Sequence, residues 1–136
     1  MATDDLGNEL ARVLASVITA LVRSDQRDLS ARQLGVFLIC YLESEAQTVR
    51  GLASRLGVAK PAITRVLDRL AEFDLVQRKQ DPLDRRSVLV QRTATGMMLL
   101  QEIRKLLRDA TVQAELALNI EANLQPANPE AVQLSR

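Results

Sequence analysis

Lys60, Thr64, Arg65 and Arg69 lie within helical reach of one another along a single stretch of chain. Residues three or four apart meet on one side of a helix. Cationic and hydroxyl groups gathered there suit anion recognition, through contacts to phosphate and guanidinium bonds to a guanine edge. Ala62, in the same stretch, offers a methyl that could meet the methyl of a thymine. A second group, Asp84-Arg85-Arg86, puts two guanidinium groups beside a carboxylate. Arg86 there suits a narrow, strongly negative minor groove. Asp84 is expected to orient Arg86 through a charge-assisted hydrogen bond. The plainer reading of that pair, an exposed ion pair, would add little stability.

Other chemistries lack their residues. The chain has no His and one cysteine, Cys40, which removes His-based acid–base catalysis, most metal sites and any internal disulfide. It has no Gly-rich phosphate loop and no Gly-x-Ser-x-Gly, and its five glycines are scattered. The expectation is a protein that is not an enzyme and carries no cofactor. Cys40 lies in the apolar run Leu38–Leu42, where a buried core thiol is favoured over a redox sensor.

The charge is segregated. The formal net charge is only +1, but between Arg50 and Arg92 ten Lys/Arg stand against five Asp/Glu, an excess of +5 that the rest of the chain offsets with −4. A solvated surface can segregate its signs to this extent, so the weight falls on where the cations sit. Along the stretch from Lys60 to Asp74 the cations come first and Asp68, Glu72 and Asp74 come later. The helix dipole favours the reverse order by about 0.3–1 kcal/mol per well-placed charge. A helix that keeps cations at its N-terminal end against that preference suits insertion of that end into a DNA major groove. Arg69 has a second reading, since Asp68 and Glu72 are close enough to pair with it.

The elements that must hold these residues follow from periodicity. Thr48 can cap a short helix over Val49–Leu56, which Gly57 ends in a left-handed conformation. The next helix starts around Lys60-Pro61 and puts Ile63, Val66, Leu67, Leu70 and Phe73 on one face. Small Ala53 at the crossing and Leu52, Leu56 and Val58 in the shared face complete a helix-turn-helix. Leu75–Lys79 and Ser87–Gln91 read as two strands joined by a loop that contains Pro82, which is barred from a sheet interior. A hairpin beside a helix-turn-helix is a wing.

Upstream, apolar residues at 10, 13, 14, 17, 18 and 21 keep helical spacing behind Asp4 and Asp5, which suit a helix N-terminus. Ser30 with Gln33 forms a capping box and Leu29 with Leu34 a hydrophobic staple, so a second helix starts at Ala31 and runs through the apolar stretch Val36–Leu42. Downstream, Thr93 can cap a helix reaching about Leu124, some 45 Å long. It carries one stripe at Leu99, Ile103, Leu106 and Ala110 and another at Val112, Leu116, Ile120 and Leu124. The second stripe wants either a second copy of the chain or the first helix packed against it. Met97-Met98 is expected to fill core or interface, and Asn128-Pro129-Glu130 to start a last short helix.

At 136 residues with 47% hydrophobic and 26% charged residues, the chain has the size and composition of one globular domain. Phe37, Phe73 and Tyr41 are its only aromatics, so an aliphatic, mostly helical core is expected. The acidic start and apolar runs about half of the ~20 residues a bilayer requires point to a cytoplasmic protein without a membrane partner.

From Leu29-Ser30-Ala31-Arg32-Gln33 through Pro61–Leu70, Leu75-Val76-Gln77-Arg78, Asp84–Val90 and Thr93-Ala94-Thr95-Gly96, the sequence resembles the MarR family of bacterial winged-helix regulators. The resemblance implies a mostly α fold with a small β-hairpin wing. Its parts would be an N-terminal dimerisation helix over residues 1–28, a winged helix-turn-helix over 29–92 and a long C-terminal dimerisation helix and tail over 93–136. It also implies a homodimer that binds double-stranded DNA at a pseudo-palindromic operator, usually as a repressor, and is released by a small, often aromatic, effector. The family's Asp-x-Arg wing motif falls on Asp84 and Arg86. Three positions depart from the pattern: Ala59 stands where Ser is frequent, Asp74 where Gly is common, and Arg92 where Leu is usual. The alternative is a winged helix that binds protein rather than specific DNA. It predicts apolar or acidic groove-facing positions, where Lys60, Thr64 and Arg65 stand.

Overall fold

A computed structural model describes residues 2–24 and 28–124. The elements run α1 (Ala2–Arg23), α2 (Ala31–Leu42), α3 (Val49–Leu56), α4 (Lys60–Glu72), β1 (Val76–Gln80), β2 (Val88–Arg92) and α5 (Ala94–Leu124). The short helix expected at Asn128-Pro129-Glu130 lies outside the described residues. Among the described residues no helix is long and apolar enough to cross a membrane. The chain divides into two compact units. One joins the part up to Ala20 with the part from Lys105 onward, and the other spans Leu21–Arg104.

The Leu21–Arg104 unit is a winged helix built on local signals. The Ser30 hydroxyl accepts the Gln33 N–H at 3.1 Å while the Gln33 side chain accepts the Ser30 N–H at 2.9 Å, which fixes the start of α2. Thr48 Oγ1 accepts the Gly51 N–H at 3.0 Å and so caps α3. Gly57, at φ 66°, turns the chain into α4. The core is aliphatic with one aromatic pair. Val36, Phe37, Leu52, Ile63, Leu67, Leu70 and Leu75 are fully buried, and Phe37 and Tyr41 stack with centroids 4.5 Å apart. Leu99, Leu100 and Ile103, from the first turns of α5, are buried as well. Met98 is 69% exposed and Met97 37%, so neither is a core residue; Leu99 and Leu100 are the residues that α5 turns inward.

The strands pair antiparallel in the register Val76↔Arg92 to Gln80↔Val88. Each begins one residue later than periodicity predicts. The reason lies at the end of α4, where Asp74 takes a left-handed φ of 56° and the Leu75 N–H bonds back to the Leu70 carbonyl at 2.9 Å. Leu75 therefore still belongs to the helix exit. A further piece of sheet was not legible in the sequence: Thr48 bridges Leu89, and the Val90 N–H reaches the Gln47 carbonyl at 2.9 Å. The wing is thereby stitched to the lead-in of α3.

In the other unit, Val13 and Val17 are the buried large apolar residues among those described. Leu6, Leu10, Leu14 and Ile18, four residues apart along α1, are exposed, as are Leu107, Val112, Leu116, Ile120 and Leu124 on α5. A groove of about 560 Å³ runs between the two helices, with Val13, Leu106, Ala110, Ala114 and Ala117 among its lining.

Candidate nucleic-acid interface

The ten cations between Arg50 and Arg92 fall into two groups. Four are engaged within the chain. Arg55 pairs with Glu43 at 2.9 Å, Arg69 with Glu72 at 2.9 Å and Arg78 with Asp68 at 2.7 Å. Arg92 donates from Nε to the Cys40 carbonyl at 2.9 Å and from its guanidinium to the Glu43 carbonyl, and it lies 5.7 Å from the Tyr41 ring centroid. This guanidinium thus closes open carbonyls at the C-terminal end of α2. The other six, Arg50, Lys60, Arg65, Lys79, Arg85 and Arg86, form no ion pair among the described residues.

All five acids of the segment are occupied. Asp68 and Glu72 hold the arginines just named, and Asp74 Oδ2 accepts the Thr95 hydroxyl at 2.9 Å. Asp81 Oδ1 accepts the Leu83 N–H at 2.9 Å. Asp84 Oδ1 accepts the Arg86 N–H at 3.0 Å and Oδ2 the Ser87 hydroxyl at 3.1 Å. This corrects the expectation for Asp84. Its carboxylate holds the backbone of the loop tip rather than the Arg86 guanidinium, because a two-residue spacing lets a short Asp close a local turn on the main chain.

The α4 helix explains its own charge order. Its N-cap is Ala59, which offers no side-chain acceptor, and its first turn holds no acid. Lys60, Thr64 and Arg65 are exposed there, with the Thr64 hydroxyl donating to the Lys60 carbonyl at 3.2 Å. Ala62 is half-buried and presents only part of its methyl. The second half of the helix is neutralised: Arg69 bonds Glu72 and lies 4.6 Å from the Phe73 ring centroid. Arg69 is therefore found in its surface-pair arrangement, apart from the unpaired cations of the first half. Arg50 in the first turn of α3 and Lys79 on β1 share the unpaired state of Lys60 and Arg65. In the sequence they are two cations of the basic segment among ten, since only the structure separates free cations from engaged ones.

One junction holds the helix and hairpin in place. The Tyr41 hydroxyl donates to the Leu75 carbonyl at 2.6 Å and accepts the Thr93 N–H at 2.9 Å. Thr93 Oγ1 donates to the Asp74 carbonyl at 2.6 Å and accepts the Gly96 N–H at 3.0 Å, capping α5 as expected. Gly96 is required by close approach: a Cβ there would overlap the Tyr41 hydroxyl and stand 2.5 Å from the Leu75 carbonyl oxygen. The signal for this junction was the lone Tyr41 together with Thr93 and Gly96 three residues apart. Neither residue type announces such a role without the fold.

Cys40 is 5% exposed. Burial pushes its thiol up to about 11, against a smaller opposing pull from the Arg92 charge. It packs as a small apolar group and is not a thiolate at neutral pH.

Comparison with known proteins agrees with this architecture. The MarR family model matches residues 29–88, which run from the start of α2 through β1 and the wing loop to the first residue of β2. An uncharacterized HTH-type transcriptional regulator of Mycobacterium leprae is 33% identical over 97 residues, which is 71% of this chain and 67% of that protein. Among solved structures, RV1404 of Mycobacterium tuberculosis is similar with a TM-score of 0.68 and 25% identity, over 98% of this chain and 85% of that one. CouR of Rhodococcus jostii, solved with bound p-coumaroyl-CoA, has a TM-score of 0.57 and 27% identity over 94% and 97% of the two chains. The chain belongs to the MarR family of transcriptional regulators.

Proposed function

We propose that the protein binds double-stranded DNA in a sequence-specific manner, as a homodimeric repressor on a pseudo-palindromic operator, and that a small aromatic molecule releases it. The observation that carries the DNA reading is the sorting of charge in the winged helix. Between Arg50 and Arg92 every acid is satisfied internally, while Arg50, Lys60, Arg65, Lys79, Arg85 and Arg86 are left for an outside anion. Lys60, Thr64, Ala62 and Arg65 would enter the major groove with the first half of α4, and Arg86 with Arg85 the adjacent minor groove. Arg69 would stand at the margin. The dimer is supported by the exposed apolar stripes of α1 and α5, a surface that association with a second copy would cover. The effector is supported by the structural likeness to CouR, a protein solved with p-coumaroyl-CoA.

Selection from random duplex DNA with the purified protein, at about 0.15 M salt, tests this reading. An enriched inverted repeat is expected, with half-sites about one helical turn apart. Arg86→Ala is expected to weaken binding to that repeat by about tenfold or more with little change in Tm. Lys60→Ala or Arg65→Ala should flatten the salt dependence. Flat enrichment would leave only electrostatic binding, and no binding would shift the reading to a protein-binding winged helix.

A further inference from the structure

The loop between β1 and β2 carries a side chain that charge recognition does not use. Leu83 is 95% exposed, the most exposed large apolar residue among those described, and Pro82 beside it is exposed too. Single exposed leucines are common and need no explanation. This one differs in what holds it. The Asp81 N–H bonds the Ser87 carbonyl at 2.9 Å, and the Ser87 N–H bonds the Asp84 carbonyl at 2.9 Å. Asp81 Oδ1 fixes the Leu83 N–H itself, and Gln80 Nε2 donates to the Arg85 carbonyl at 2.8 Å. Pro82 adds a locked φ directly before Leu83. The loop therefore displays the leucine on a braced frame, so little ordering entropy is left to lose when a partner covers it.

The partner must accept an apolar side chain together with two unpaired guanidinium groups of the same loop, those of Arg85 and Arg86. A row of phosphates alone does not. A DNA minor groove does, since its charged rims enclose sugar walls and base edges that leucine and proline side chains are known to enter. Resting on the reading that the wing meets DNA, we propose that Leu83, backed by Pro82, is an apolar minor-groove probe that adds sequence preference to the wing. Guanine places an amino group on the floor of that groove and an A·T pair does not. An apolar side chain pressed there would strip that donor of water, so A·T pairs under the wing are favoured.

The test uses the full-length protein and the duplex recovered by selection, with Leu83→Ser, Leu83→Met and Arg86→Ala. Leu83→Ser is expected to weaken binding about five- to tenfold with the salt slope and Tm unchanged, because no charge is lost and the residue is exposed. Leu83→Met should bind within about twofold of the wild type, since the side chain stays apolar. Replacing A·T pairs under the wing by G·C should weaken the wild type and weaken Leu83→Ser less. Inosine in place of guanine should restore the wild type, since it lacks the minor-groove amino group. If Leu83→Ser binds as the wild type does while Arg86→Ala fails, the wing meets DNA and the leucine does not take part, which overturns this proposal alone. If the wild type binds no duplex at all, the DNA reading and this proposal fall together.

Discussion

The two units of the chain bury apolar surface to very different degrees. Residues 21–104 enclose Phe37, Leu52, Ile63, Leu67 and Leu70 completely and turn charge outward. The unit made by α1 and the second part of α5 buries Val13 and Val17 and leaves Leu10, Leu14, Val112, Leu116 and Ile120 half or more exposed. Burying an exposed leucine or valine fully is worth roughly 1.5–3 kcal/mol. The first unit has collected that stabilisation within one chain. The second still has most of it to gain, and the proposed second copy would supply it.

The sharpest way to break this contrast is a pair of charges on the exposed stripes. Leu14→Glu combined with Leu116→Glu is expected to weaken self-association by about a thousandfold, equal to about 4 kcal/mol, with the winged helix still folded. Sedimentation across a range of protein concentrations reads this directly. A wild type that stays monomeric at tens of micromolar would remove the contrast. Within the closed unit, Leu67→Ala should cost about 3 kcal/mol, a loss that denaturant melts show at every protein concentration. A loss seen only in dilute samples would mean that the winged helix also leans on association.

Two smaller effects sharpen the picture of the closed unit. Gly96→Ala is expected to cost about 2–3 kcal/mol, because its new methyl must displace Tyr41 and the Leu75 carbonyl. Gly35→Ala, where nothing lies within 4 Å of the added Cβ, serves as the harmless control. Cys40 supplies a pH dependence. Its folded pKa is raised from 9.0 to about 11, so the neutral thiol's contribution is complete below pH 9 and is lost as pH rises toward 11. The stability difference between wild type and Cys40→Ala should shift against the wild type by about 2 kcal/mol over that window. Alkylation of Cys40 at pH 8 should meanwhile be limited by opening of the fold. Rapid alkylation of the native protein would show the thiol to be accessible.

Local signals carried much of the fold. The capping box at Ser30, the cap at Thr48, left-handed Gly57 and the Thr93 cap act within a few residues of chain and stand where the sequence places them. What escaped depends on partners distant in sequence. The strand starts shifted because Leu75 answers to Leu70 and Tyr41, and the added sheet bridge at Thr48 needs Leu89, far along the chain. At the candidate interface the cations were visible as a composition bias. Which of them are free was not, since that depends on pairings such as Arg78 with Asp68 and Arg92 with the end of α2. Asp84 was recognised as an organiser of the wing, but a carboxylate has more than one donor within reach and sequence does not rank them.

The position of Tyr41 has a practical corollary in optics. The chain has no tryptophan and this is its one tyrosine, so beyond the weak phenylalanine bands the longer-wavelength absorption and the tyrosine emission come from a single ring. That ring is buried, stacked on Phe37 and bonded through its hydroxyl to the Leu75 carbonyl. Its fluorescence therefore reports the state of the winged helix alone, while far-ultraviolet circular dichroism weighs the long α1 and α5 helices heavily. Melts followed by the two signals would coincide if the protein unfolds as one body, and would separate if its two units come apart in turn.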